Sequence, residues 1–362
     1  MTRATSLFLD GLRLGAALVV FAAHTAHYWN PAMIGPMQAW AHDAVIVFFV
    51  LSGYVIAHTT RAGARDARAY AVARLSRLYS VVAPALVLTV VLWVIGRQLE
   101  PELYAGYERA FPAIRFAATA LFLNAAWTFE LSPPTNTPFW SLGYEAWYYV
   151  LFGVAVFMRA GGLKWLALGA AAVVAGPKVL LLLPVWLAGV AARCGSEAGA
   201  KSLPRSAAAL GLAAALAATV WMVGNLPDWP ETPGAHPWYF SGAWGSDLAA
   251  GLGWGAVIWC FNRFMADRAQ NDSMNPAGNW PTRAMRWAAG HTFSLYLYHG
   301  PLVILATVLF PPLLVRSAGG RAAVLGGILG LVVVLGALTE GQRRRWRRLF
   351  AWGWDKIVVA RR

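Results

Sequence analysis

Arg13 and His24 stand eleven residues apart in one apolar run, residues 10–30. On an α-helix that spacing is three turns, so the two side chains differ by only ~20° in azimuth and by ~16 Å in height. An ionisable side chain inside a membrane helix is costly and marks a candidate functional site. A neutral imidazole can take the proton of a hydroxyl while that oxygen attacks a carbonyl. The structural alternative for His24 is a histidine hydrogen-bonded between helices. Arg74 and Arg77 form a second group, Arg-Leu-Ser-Arg. Guanidinium forks suit phosphate; anchoring on the positive inner side is the plainer use. Glu145 is a carboxylate near the start of another apolar run, where it must find a partner or carry a proton. It would either orient and polarise a histidine or pair with an arginine for structure alone. Ser141 reads as a helix N-cap, not a nucleophile, because no base is adjacent. His24 and His27 suggest a metal pair, but no ligand spacing joins them to His58 or His299, so no metal site is expected. His27 fits the membrane interface beside Tyr28 and Trp29.

The elements that position these groups are membrane helices. Of 362 residues, 59% are hydrophobic and 13% charged, a composition that implies an all-α, polytopic helix bundle and excludes an ordinary soluble domain. The formal net charge of +14 is accounted for by arginines in loops. No nucleic-acid-binding motif is present, and nucleic acid is not expected as a partner. Cys194 and Cys260 imply no disulfide framework. The first apolar run contains His24 and His27 and lacks a cleavage site, so it reads as an uncleaved span, with Asp10 as its N-cap and Arg13 in its first turn.

Spans are expected at about 12–30, 43–60, 78–96, 140–158, 206–224, 243–261, 287–310 and 322–340. Two more short ones fall within 165–192, separated at Gly176-Pro177-Lys178. The arginine-rich segment 61–77 and the basic tail 341–362 are expected in the cytoplasm, with 225–242, which has no Lys or Arg, outside. Two cytoplasmic termini require an even count. Ten results if 113–127 dips in from the outer face as a re-entrant segment of the loop 97–139. The rival count lets 113–127 cross and makes 165–192 one span. The chain reads as one membrane domain, 1–362.

Five ordered motifs resemble the acyltransferase-3 family of integral-membrane acyltransferases, which includes bacterial O-antigen and exopolysaccharide acetylases. They are Leu9-Asp10-Gly-Leu-Arg13 followed by ten residues and His24; Phe48-Phe-Val-Leu-Ser52-Gly-Tyr54; Arg74-x-x-Arg77; Trp140-Ser141-Leu-x-x-Glu145; and Ser294-Leu-Tyr-Leu-Tyr-His299-x-Pro301. Three positions depart from the family pattern: Ile46 and Ala146 stand where acidic residues are frequent, and Ser80 where proline is usual. The resemblance implies an enzyme with ten spans in the bacterial inner membrane. Its donor would be cytoplasmic acyl-CoA, acetyl-CoA in the first instance, and its acceptor a hydroxyl of a cell-envelope glycan or similar molecule. No bound cofactor is implied. His24 would be the catalytic histidine, Arg13, Arg74 and Arg77 the donor-binding residues, and Glu145 a catalytic residue supporting the acceptor side. Asp10, Ser52, Tyr54, Trp140, Ser141 and His299 would support them. The ~16 Å rise from Arg13 to His24 is about the reach of a pantetheine arm. A glycolipid or anion transporter with an Arg- and His-lined pathway, making no bond, is the reading from another functional class.

Overall fold

A membrane interior offers backbone groups no water, and a helix satisfies them within one segment. In the computed structural model every regular element among the described residues is helical. The structure describes residues 1–29, 34–63, 66–196, 204–234, 236–265, 279–310, 314 and 317–359. Asn30-Pro31, the expected end of the first span, lies outside them, as do Arg65 and Lys201 of the basic segments. In chain order the helices are α1 (Arg3–Trp29), α2 (Ile34–Gly63), α3 (Ala67–Leu99), α4 (Pro101–Ala105), α5 (Pro112–Ala120), α6 (Phe139–Phe157) and α7 (Gly162–Ala175). Then follow α8 (Pro177–Leu181), α9 (Leu183–Gly195), α10 (Arg205–Asn225), α11 (Trp244–Phe264), α12 (Trp280–Ala289), α13 (Thr292–Leu309), α14 (Ala318–Leu338) and α15 (Arg343–Val359).

Among the described residues, seven stretches are long and apolar enough to cross a membrane: α1, Trp40–Arg61 of α2, α3, Pro177–Gly195, Ser206–Asn225 of α10, α13 and Ala318–Lys356. The other three expected spans are present as the helices α6, α7 and α11. α7 has only 14 residues, and α6 and α11 carry Glu145 and Asp247 within their apolar runs. The segment 113–127 holds only α5, nine residues or ~14 Å, too short to cross a ~30 Å core as a helix. Gly176 breaks the run 165–192 at φ +81, and a Cβ there would strike the backbone of Trp127.

Several helix starts differ from the sequence expectation. Asp10 caps nothing: α1 begins at Arg3, where the Thr2 hydroxyl accepts from the Thr5 N–H at 3.1 Å. Asp10 lies inside the helix, 3.6 Å from the Arg13 guanidinium. α3 begins eleven residues before the expected position 78, because Asp66 accepts from the Ala69 N–H at 2.6 Å and caps it. Arg74 and Arg77 therefore sit within a helix and not at its mouth. Ser141 is in the first turn of α6 and is not its cap. The expected span 287–310 is divided at Gly290-His291 into α12 and α13. The basic tail folds as α15, packed on α3, where Arg68 grips Asp355 at 3.0 and 2.7 Å.

The chain forms two compact units, whose boundaries fall within α1, within α2 and at the first residue of α13 as well as between helices. The first comprises 1–20, 36–63 and 177–292. Here α11 packs on α9 and α10, and α9 meets α2 through two glycines. A Cβ on Gly53 would collide with the Trp186 carbonyl, and one on Gly189 with the Val50 carbonyl. Small residues at such crossings let backbones approach closely, the usual basis of helix association in lipid. Polar contacts fasten the same unit: Thr5 to Asn262 at 2.8 Å, Trp186 to Ser52 at 3.2 Å, and His42 to the buried Asp247 at 2.9 Å. The second unit comprises 21–35, 64–176 and 293–362. In it α3 packs on α6 and α15, and α6 on α7.

The crossing of α2 and α9 yields a stability prediction. Gly189→Val places two methyl groups against the α2 backbone, and overpacking typically costs ~1–3 kcal/mol. The melting temperature in detergent should fall by several degrees, whereas Gly169→Val, which meets nothing within 4 Å, should leave it unchanged.

Candidate active site

His24 reaches its partner within the second unit. On α1 it stands four residues before Tyr28, and its Nδ1 lies 2.6 Å from Nε2 of His299 on α13, with the rings stacked at 4.9 Å between centroids. The pairing has a direction. His299 Nδ1 lies 2.8 Å from the Leu295 carbonyl oxygen, which can only accept, so that nitrogen carries the hydrogen. In the neutral ring His299 Nε2 is then an acceptor, and His24 Nδ1 must donate to it. His24 is left with its lone pair on Nε2, the nitrogen that can take up a proton. His299 is fully enclosed, at 0% exposure, while His24 keeps part of its surface open. Phe21 meets the His299 ring edge-on at 6.1 Å, and Tyr296 lies 6.4 Å from it. His27 is exposed, edge-on to Tyr28.

The α13 motif supplies the frame. Tyr296 hydroxyl pairs with Ser141 at 2.8 Å, Tyr298 hydroxyl with Thr339 at 2.7 Å, and Ser294 donates to Glu340 at 2.9 Å. Pro301 has no N–H, so the Leu297 carbonyl four residues earlier loses its helical donor. The Asn136 side-chain amide fills that place at 2.9 Å and also donates to Thr89. Trp140 stands edge-on to Tyr144 at 5.2 Å.

A second cluster in this unit gathers the arginines. Arg74 lies over the rings of Tyr70 and Tyr149, 5.9 Å from each, and Arg77 over Phe293 at 5.6 Å. Tyr149, one turn beyond Glu145 on α6, donates its hydroxyl to the Glu145 carboxylate and is itself hydrogen-bonded by Arg77. Glu340 and Arg343 complete the cluster, with Arg343 donating to the Ala73 carbonyl at 3.3 Å. Arg74 Nε is buried and has no hydrogen-bond partner among the described residues, an orphan donor in a half-buried side chain. Glu145 thus stands with Tyr149 and the arginines. Among the described residues the side-chain hydrogen-bond partner of His24 is His299, and no carboxylate is bonded to it.

The structure therefore joins His24 to His299, Arg74 and Arg77 to Glu145, and Ser141 to Tyr296. Arg13, Asp10, Ser52 and Tyr54 belong to the first unit, where Arg13 pairs with Asp10 and Tyr54 with Asn262 at 3.1 Å. The sequence reading missed Tyr149, Glu340 and Asn136. Tyr149 was discoverable at i+4 from Glu145; Glu340 was visible as a carboxylate ending an apolar run.

These features meet one similarity to known proteins. A family model described as an acyltransferase domain matches residues 6–339, nearly the whole chain. No curated protein and no solved structure matches it. The match runs through all five motifs, from Leu9–His24 on α1 to Ser294–Pro301 on α13, and shows that the chain belongs to the acyltransferase-3 family, as a multi-pass membrane acyltransferase.

Proposed function

We propose that the protein is an acyl-CoA-dependent O-acyltransferase in which His24 Nε2 is the general base. The observation that carries the reading is the directed chain from the Leu295 carbonyl through His299 to His24, which leaves that nitrogen unprotonated in the neutral state. The acceptor hydroxyl gives its proton to Nε2 as its oxygen attacks the thioester carbonyl. The C–S bond breaks, and the proton passes from Nε2 to the departing CoA sulfur. Arg74 and Arg77 hold donor phosphate, with Glu145 and Tyr149 fixing the Arg77 fork. Arg13 is assigned to donor binding on the family resemblance alone. The acyl group is acetyl and the acceptor a cell-envelope glycan on the same ground. The protein crosses the bacterial inner membrane ten times, with both termini in the cytoplasm, on the arginine asymmetry.

His24→Ala should lower transfer from acetyl-CoA by ~10²–10⁴-fold, the usual contribution of a general base, with acetyl-CoA binding retained. His299→Phe, which removes the acceptor for His24 Nδ1, should lower kcat about tenfold with the donor KM unchanged. Full turnover in a folded His24→Ala protein rejects the base assignment.

Arg74→Ala or Arg77→Ala should raise the acetyl-CoA KM about ten- to a hundredfold, the equivalent of a charge-assisted contact of ~1.5–3 kcal/mol. Unchanged donor affinity in both variants would reduce the pair to a topological signal.

For orientation, a single cysteine at Glu231, with Cys194 and Cys260 replaced by serine, should react with an impermeant maleimide added outside intact cells. One at Arg348 should react only after lysis. The opposite pattern inverts the topology.

A further inference from the structure

The second unit, which holds the histidine pair, also contains a small polar cavity to which the chemistry above gives no task. It measures about 120 Å³ and is lined by Tyr107, Arg109, Glu130, Ser132, Thr135 and Thr137, together with Pro133 and Pro134. Three contacts tie it to the helices that carry His24 and His299. Tyr28, one turn beyond His24 and only ~40° round the same helix, hydrogen-bonds to Tyr107 through their hydroxyls. Gly300, next to His299, lies against the loop so closely that a Cβ would come within 3.2 Å of the Thr135 carbonyl. Asn136, bonded to the Leu297 carbonyl, clamps that wall to α13.

The lining is built and incompletely used. Thr135 is only 7% exposed, yet its hydroxyl oxygen has no hydrogen-bond partner among the described residues. Its backbone is held at φ +61, a conformation costly for a β-branched residue and characteristic of functional loops. Glu130 is fixed by the Ser132 N–H at 3.2 Å and by Arg115 at 3.5 Å, and Arg109 by the carbonyls of Gly106 and Glu108. Burial holds the Tyr107 phenol above its ordinary value, so it is a neutral hydroxyl at pH 7.

We infer that this cavity binds the hydroxyl-bearing edge of a sugar ring and so forms the acceptor subsite beside His24. Of the four lining hydroxyls, Tyr107 pairs with Tyr28 and Ser132 donates to the Thr137 carbonyl at 3.4 Å, while the buried Thr135 hydroxyl is left to bond a ligand; with a carboxylate that accepts and a guanidinium that donates, the set matches a ligand whose every substituent is a hydroxyl. One lining charge of each sign disfavours a fully charged ligand of either sign. The prolines and the Tyr107 ring offer apolar faces to the C–H side of a pyranose. The assignment of acceptor rests on the transferase reading; the binding of a sugar does not.

Saturation-transfer NMR on the full chain in nanodiscs tests it with a panel of methyl hexopyranosides as probes. The wild type should transfer magnetisation to the glycoside protons, with no competition from inorganic phosphate. Thr135→Val keeps the side-chain shape and removes the orphan hydroxyl; Thr137→Val, at an exposed position, is safe for folding. Each should weaken binding about threefold to tenfold without altering acetyl-CoA affinity. No transfer in the wild type, identical transfer in both variants, or displacement by phosphate overturns the sugar site. Glycoside binding without any acetyl-CoA turnover would instead sink the transferase chemistry and leave the cavity's assignment standing.

Discussion

The hydrogen bond from Asn136 to the Leu297 carbonyl organises the second unit. A proline inside an apolar helix leaves a carbonyl with no donor, and in lipid no water replaces it. Asn136 meets that requirement from a loop 161 positions away in sequence and is fully buried in doing so. The loop is thereby pinned to α13, and the rest of the motif repeats the device. Ser294, Tyr296 and Tyr298 each bond a different partner, and Leu295 fixes the His299 ring through its carbonyl. A segment that reads as a run of small and aromatic residues is thus a hub, and the precision of the histidine pair follows from it.

The arginine cluster solves a different problem. A guanidinium brought out of water needs partners on several sides, and an unpaired buried charge costs several kcal/mol. Tyr70, Tyr149 and Phe293 offer ring faces, while Glu145 and Glu340 supply negative charge. This explains why Glu145 is drawn to the arginines: Tyr149 lies one turn away on its own helix, and Arg77 reaches the same hydroxyl. Arg74 is less completely satisfied: its buried Nε has no hydrogen-bond partner among the described residues.

Local features were legible in the sequence in proportion to how local their physics is. Apolar runs located the helices, and one such run put Arg13 and His24 together on α1. The break at Gly176-Pro177 was equally readable, since both residues disrupt a helix by their own chemistry. Starts were harder: Thr2 begins α1 upstream of the expected cap Asp10, and Asp66 begins α3 eleven residues before 78, because several polar residues upstream of each apolar run were able to cap it. What periodicity could not reveal was pairing between distant helices. His24 and His299 are 275 positions apart, and nothing in either flanking sequence names the other. The shift of Glu145 away from histidine likewise depended on where α3 brings Arg77.

The direction of the histidine pair limits how the proposed reaction can handle its proton. When Nε2 of His24 is protonated, its Nδ1–H becomes a stronger, charge-assisted donor to His299, so the second ring stabilises the imidazolium without a carboxylate. The proton cannot move onward by that route. His299 Nδ1–H ends on a backbone carbonyl, which accepts a hydrogen bond but has no proton to release and no basicity to hold one. The chain is an anchor and not a relay. A proton taken from the acceptor must therefore leave through the same Nε2, and the departing sulfur must come within reach of the nitrogen that faced the hydroxyl. In the proposed reaction one face of one imidazole then has to serve both substrates, and the hydrogen bonds behind the ring hold that face in place.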